Sequence, residues 1–304
     1  MRIGLMTGST GGAPSVDSIV EDAQQAEAEG FATFAMANIF THDAIIALTM
    51  AGAATERIEL MTAVVPTYPR HPFAIAQQAL TAQAVSGGRF SLGIGVSHQV
   101  VIEGMLGMSF DKPARHMREY LAVLMPLLRG EASQHKGEQY TGFGAIDIPD
   151  AEPVPCLLAA LGPAMLKLTA ELADGTILWM SGPKTVEDYV GPRLREAAAA
   201  AGRSEPRIVC ALPVMLTNDV ESAHRAAAEQ FANYNDLPSY RGMLDREGAE
   251  GPADVAILGS EEEVERKLNQ LKDVGVTDLG VAVFGDEEAR ARTRAFMSSL
   301  APEI

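Results

Sequence analysis

The chain is short of positive charge. Its 304 residues hold 24 lysines and arginines against 40 aspartates and glutamates, a net charge of −16. Such an excess repels phosphate backbones, so nucleic acid is not an expected partner, although a helix N-terminus can still hold a single phosphate. Cysteine is also scarce. Cys156 and Cys210 sit in apolar, strand-like runs and read as reduced core residues rather than metal ligands. No run of 18 apolar residues occurs, which argues against a membrane span. Met1–Pro14 has no long apolar stretch of the secretory kind, so a cytoplasmic location is expected. HExxH, CxxC, GxSxG and Walker motifs are all missing, and no metal site is expected. Neither a linker-like shift in composition nor a low-complexity segment beyond Ala197–Ala201 divides the chain, so residues 1–304 read as one domain.

What is present is alternation. Continuous apolar runs at Met1–Thr7, Phe31–Asn38, Glu56–Pro66, Arg89–Ser97, Pro153–Leu161, Asp174–Met180, Arg207–Thr217 and Asp278–Gly285 read as strands buried on both faces. Helical patterns lie between them. Val16, Ile19, Val20, Ala23 and Ala26 share one face of a helix capped by Ser15, and Ser260 with Glu263 forms a capping box. Eight β/α units in about 300 residues predict an α/β fold, a (β/α)8 TIM barrel. Two stretches exceed the repeat, so insertions are expected at 98–152, after strand four, and at 233–259, after strand seven, both at the C-terminal face.

The stretch Phe90–Gln99, FSLGIGVSHQ, carries Gly93 and Gly95 in a spacing shared by dinucleotide-binding loops. The third glycine of that fingerprint is missing, and no strand with an acidic end follows nearby. The alternative is a barrel strand whose glycines permit close approach and whose end carries Ser97 and His98. On that reading the other strand ends gain interest. Asn38 closes strand two. Gly162-Pro163 and Gly182-Pro183-Lys184 each place free backbone N–H groups at a helix start, which suits a phosphate. His42 and His98 are the two histidines near strand ends. His71 reads as a helix cap, His116 and His135 fall in the first insertion, His224 reads as solvated, and Glu103 as a surface residue. Trp179, Met180, Met105, Met108 and Phe110 suggest an apolar pocket.

Four runs carry a likeness to a known family: TAVVPTYPRHP, GGRFSLGIGVSH, AALGPAMLKLTAELADGTILW and GSEEEVERKLNQLKDVGVTDLGVAVF. Together they cover most of the chain. The sequence resembles the luciferase-like monooxygenase superfamily, and within it the coenzyme F420-dependent oxidoreductases of the methylenetetrahydromethanopterin reductase type. The resemblance implies a barrel with the cofactor at the C-terminal face. It implies that Asn38, Ala63, Val64, Gly95, Val96, Ser97 and His98 surround the deazaflavin ring. It places Ala160, Leu161, Gly162, Pro163, Met180, Ser181, Gly182 and Lys184 near the cofactor, with Gly162, Pro163, Ser181, Gly182 and Lys184 at its phosphate or acidic tail. It further implies a non-prolyl cis bond at Ala63–Val64, or one residue on, and a homodimer formed through helices near strands two and three. The sugar-phosphate dehydrogenases of this branch carry an Asp-His pair where this chain has Asn38-Ile39, and a glutamate where it has His98, so their substrate is not carried over. The expected activity is hydride transfer between the deazaflavin C5 and an unidentified small organic substrate, with His98 and Asn38 as candidate catalytic residues. An FMN-dependent monooxygenase is the alternative, and a non-catalytic flavin- or deazaflavin-binding protein a third reading.

Overall fold

The structure is a computed structural model and describes residues 1–8 and 14–301. Eight strands form the barrel: β1 (Arg2–Thr7), β2 (Thr33–Met36), β3 (Glu59–Thr62), β4 (Phe90–Gly95), β5 (Cys156–Ala159), β6 (Gly175–Trp179), β7 (Arg207–Leu216) and β8 (Asp278–Val283). Each pairs with the next in parallel, and β8 pairs with β1, so the sheet closes. The barrel expected from the alternation is therefore present.

The helices are α1 (Val16–Ala28), α2 (Ala44–Ala53), α3 (Pro72–Val85), α4 (Pro113–Leu128), α5 (Pro163–Leu172), α6 (Gly191–Ala200), α7 (Val220–Gln230), α8 (Pro238–Glu247), α9 (Glu261–Asp273) and α10 (Glu287–Leu300). Their starts follow the expected chemistry. Ser15 accepts from Ser18 N, and Ser260 and Glu263 form the reciprocal box at α9. The His71 ring accepts from Phe73 N at 3.3 Å, which confirms the cap.

The excursions differ from the expected boundaries. Within 98–152, α4 packs between α3 and α5 as a barrel-wall helix. Ser133–Lys136 and Thr141–Gly144 form a hairpin on the outside of that wall, where Gly142 lies against Val123 and Phe73. At the rim lie about 98–112, beginning with a π-helical turn, Val100–Met105, and Gln139 and Tyr140 at the hairpin tip, which line a rim cavity. The second excursion is longer than 233–259. Ile257–Gly259 pairs with Val214–Leu216 at the end of β7, so everything from about 217 to 256 leaves and returns at the same rim. Helix α7 belongs to it and packs on Pro252–Val255 and Ile257–Gly259. An amphipathic helix after a strand has one pattern whether it covers a barrel wall or a rim loop, so sequence could not separate the two.

Gly93 answers to close approach. Thr62 Oγ1 donates to Gly93 O and accepts from Gly93 N, both at 2.8 Å, and a Cβ on Gly93 would overlap the Thr62 carbonyl oxygen and Ile177. Gly93→Ala is expected to lower stability by about 1–3 kcal/mol through this overpacking. Urea unfolding checks it, and an unchanged midpoint would contradict the packing described.

Candidate active site

The C-terminal strand ends carry the unusual backbone. The bond Ala63–Val64 is cis, as the resemblance implied. Ser97, just past β4, and Met180, just past β6, adopt left-handed backbone with φ of 61° and 55°. For a residue with a Cβ, that conformation costs roughly 1–2 kcal/mol and marks a constrained site. The side chain of Gly95's replacement would meet Val64 Cγ2 at 2.9 Å and Ala159 Cβ at 3.1 Å, so Gly95 lets the Val64 bulge lie flat on β4.

His98 is half-buried, and its ring centroid lies 5.8 Å from that of Tyr240. Tyr240 stands 5.0 Å from Tyr234, and Tyr234 stands 6.0 Å from Trp179, both edge-on. An aromatic wall thus runs from the exit of β4 to that of β6, and its tyrosines come from the 217–256 excursion. Sequence reading did not find them, since no local pattern ties Tyr234 or Tyr240 to His98. Burial lowers the His98 pKa below its ordinary 6.5, so the imidazole is neutral at pH 7.

The other expected site residues divide. Asn38 Oδ1 accepts from Ala44 N at 2.9 Å, which uses its oxygen at the start of α2 and leaves its amide hydrogens without a partner among the described residues. Ala63, Val64, Val96, Ser97 and Leu161 sit at strand exits and are partly exposed or at the edge of burial. The Ala160 and Met180 side chains, by contrast, have no exposed surface and belong to the core, so they offer a ligand no side-chain contact.

The two helix starts also diverge. At α5, Gly162 has no side-chain cap, Pro163 opens the helix, and a Cβ at Gly162 would meet nothing within 4 Å. That start is open to an anion. At the β6 exit, the N–H groups of Lys184 and Thr185 are already donated to the Glu247 carboxylate, at 3.2 and 2.8 Å. A Cβ at Gly182 would overlap the same carboxylate. The phosphate role expected of Gly182 and Lys184 is therefore filled from within the chain. Ser181 beside them is buried, with its hydroxyl unpaired among the described residues.

His42 is tied to Pro14 O at 2.7 Å. Glu103 accepts from Gln99 and Phe110 N and shapes its own loop, in line with its surface reading. Cys156 and Cys210 are free and buried; burial raises both thiols, Cys210 to about 12, so neither is a thiolate. A cavity of about 480 Å³ opens elsewhere on the rim, between the exit of β3 and the starts of α3 and α4, and His98 is not in its wall. There Tyr68 stacks on His116 at 3.7 Å and Thr67 Oγ1 contacts His116 Nε2 at 2.8 Å, a grouping from distant segments that the sequence did not suggest. Burial drops the His116 pKa to about 4, so it too is neutral.

Residues 1–301 match the family profile described as luciferase-like monooxygenase. The chain belongs to the luciferase-like monooxygenase family. It is thus an enzyme. It is 31% identical over 304 residues to a putative coenzyme F420-dependent oxidoreductase of Mycobacterium tuberculosis, covering 94% of this chain and 86% of that one. It is 27% identical over 290 residues to a 5,10-methylenetetrahydromethanopterin reductase of Methanolobus tindarius, covering 86% and 88%. Among solved structures, the F420-dependent tetrahydromethanopterin reductase of Methanopyrus kandleri superposes with a TM-score of 0.81 at 22% identity, covering 100% of this chain and 98% of that one. The oxygenating constituent of 3,6-diketocamphane monooxygenase from Pseudomonas putida, in complex with FMN, gives 0.78 at 18% identity, covering 100% and 98%. At these identities the structures speak to the barrel alone; one of them is named for F420 and the other holds FMN. No helix among the described residues is long and apolar enough to cross a membrane.

Proposed function

We propose that this family member is a coenzyme F420-dependent oxidoreductase, moving hydride between the deazaflavin C5 and a small organic substrate. The observation that carries the reading is the half-buried His98 imidazole at the exit of β4 beside an aromatic wall. The full-length likeness to proteins named for F420 supports the choice of cofactor over FMN. The residues present fit such a group at one end: the uncapped start of α5 at Gly162 and Pro163 would hold its phosphate. When bound, the deazaflavin supplies two-electron hydride chemistry.

The chain supplies the rest. Val64, Gly95, Val96 and Ser97 form the surface on which the ring would rest, with Ala63 and Leu161 at its margins. The Asn38 amide hydrogens orient a carbonyl of ring or substrate. Tyr240, Tyr234 and Trp179 exclude water and favour a flat, apolar substrate. His98, neutral at pH 7, accepts a proton from the substrate in the oxidative direction and returns it in the reductive one. The rim segment 98–112, with Val100 and Met105 exposed, is proposed to cover the bound substrate, and the enzyme is proposed to work in the cytoplasm.

An anaerobic assay separates this from the FMN reading. Exchange of the deazaflavin spectrum with an added alcohol or enone, undiminished without oxygen, supports hydride transfer. Turnover that requires dioxygen and FMN would replace it with a monooxygenase, and F420 binding with no turnover on any acceptor would favour a binding protein.

The homodimer is a further expectation. Ile39, Phe40, Ile46 and Met50 are exposed large apolar residues on and just before α2, the region the homodimer expectation points to. Light scattering at micromolar concentration is expected to give twice the chain mass, and Ile46→Glu to shift the protein toward monomer. A wild-type monomer would contradict this.

A further inference from the structure

Glu247, the last residue of α8, takes no part in the chemistry above, yet its carboxylate reaches back to the barrel. It accepts from Thr185 N at 2.8 Å, Thr185 Oγ1 at 2.7 Å and Lys184 N at 3.2 Å. Gly248 follows with φ of 77° and ends the helix at that contact. Tyr240 lies seven residues upstream, two helical turns, so Tyr240 and Glu247 share one face of α8. Met243 and Leu244 are the buried residues of this helix and Arg246 stacks on the Tyr189 ring at 4.0 Å; the charge-assisted clamp adds to this docking at the helix end. A Cβ at position 182 would overlap this carboxylate and displace it.

We infer that Glu247 is a positioning residue: by pinning the end of α8 to the exit of β6, it fixes Tyr240 against His98 and keeps that side of the mouth closed. This rests on the reading of the mouth as the active site, but its first tests need neither cofactor nor substrate. Trp179 is the single tryptophan of the chain and lies 6.0 Å from Tyr234 in the same excursion. Its emission therefore reports docking directly. The His98 ring, followed by NMR, reports whether Tyr240 still covers it.

Glu247→Ala is expected to shift Trp179 emission to the red, to raise its quenching by acrylamide several-fold, and to move the His98 titration upward toward the ordinary value as water enters. Glu247→Gln, which keeps an acceptor, is expected to shift both in the same direction by less. Glu221→Gln, an exposed carboxylate on α7 paired with Arg225, is expected to leave both unchanged. With a substrate in hand, KM is expected to rise more than kcat falls. Wild-type emission and wild-type His98 titration in Glu247→Ala overturn the inference. Should that variant fail to fold, Glu247→Gln alone decides, and wild-type values in it overturn the inference equally. A protein that fails to bind F420 but shows these shifts would refute the cofactor and leave the clamp standing.

Discussion

His98→Ala is expected to lower turnover by about 10²–10⁴-fold, the usual range for loss of a general acid or base, while cofactor affinity changes only a few-fold. The separation follows from placement. His98 lies past the end of β4, beyond the residues that form the ring surface, and its partner in the structure is an aromatic ring rather than an anion site. The pH profile gives a second reading. Burial lowers the His98 pKa below 6.5, so kcat/KM for oxidation should be flat near pH 7 and fall on the acid side through a pKa under 6.5, where the imidazole becomes charged and can no longer accept a proton. The variant should lack that limb. Unchanged turnover, or an acid limb that survives the substitution, would make His98 a wall residue.

Arg207→Ala is expected to cost about 1.5–3 kcal/mol of stability at neutral pH, the range for losing a hydrogen bond to a charged group, because Glu59 and Asp278 lose their more buried partner and keep Arg2. Arg207 opens β7 and reaches both Glu59, the first residue of β3, and Asp278, the first residue of β8, at 2.9 and 3.0 Å. Arg2 of β1 bridges the same two carboxylates from a more exposed position. The N-terminal end of the barrel is thus closed by an ionic plug, opposite the active mouth. Burial acts to raise the pKa of Glu59 and Asp278, but hydrogen bonds and charge from Arg207 outweigh it and hold both below their ordinary values of 4.5 and 3.8. A lowered folded-state pKa gives stability that is present above the ordinary value and lost as pH falls through the folded one. The wild-type protein should therefore lose this contribution on acidification below about pH 4.5, and the deficit of Arg207→Ala should shrink over the same range. Denaturation followed from pH 7 down to about pH 2, through the lowered folded values, checks both parts. A deficit that is constant with pH would mean the plug is not electrostatic.

Much of this molecule follows from short-range pattern. The strands are continuous apolar runs because both of their faces are covered, and Ser15, His71 and the Ser260–Glu263 box cap the helices they precede. The position of His98 just past β4 was legible because a barrel displays its strand ends at one face. What stayed hidden depends on pairings between distant segments. The Glu247 carboxylate sits at a helix start 62 residues earlier in the chain, so a stretch with the local look of a phosphate cradle is already filled. The three-residue strand Ile257–Gly259 is too short to carry a period, although its pairing with β7 decides that α7 and α8 belong to the rim. Tyr68, His116 and Tyr140 meet from three separate segments, and none of the three shows by itself that it faces a cavity.

The cofactor is the centre of the account, and separate titrations of the purified, cofactor-free protein with F420 and with FMN test it most directly, followed by ligand fluorescence at equal protein concentration. Saturable F420 binding, tighter than FMN binding and weakened when Gly162 at the open start of α5 is replaced by Asp, is the result the account predicts. Equal or tighter binding of FMN would contradict it and make the protein an FMN enzyme on the same barrel.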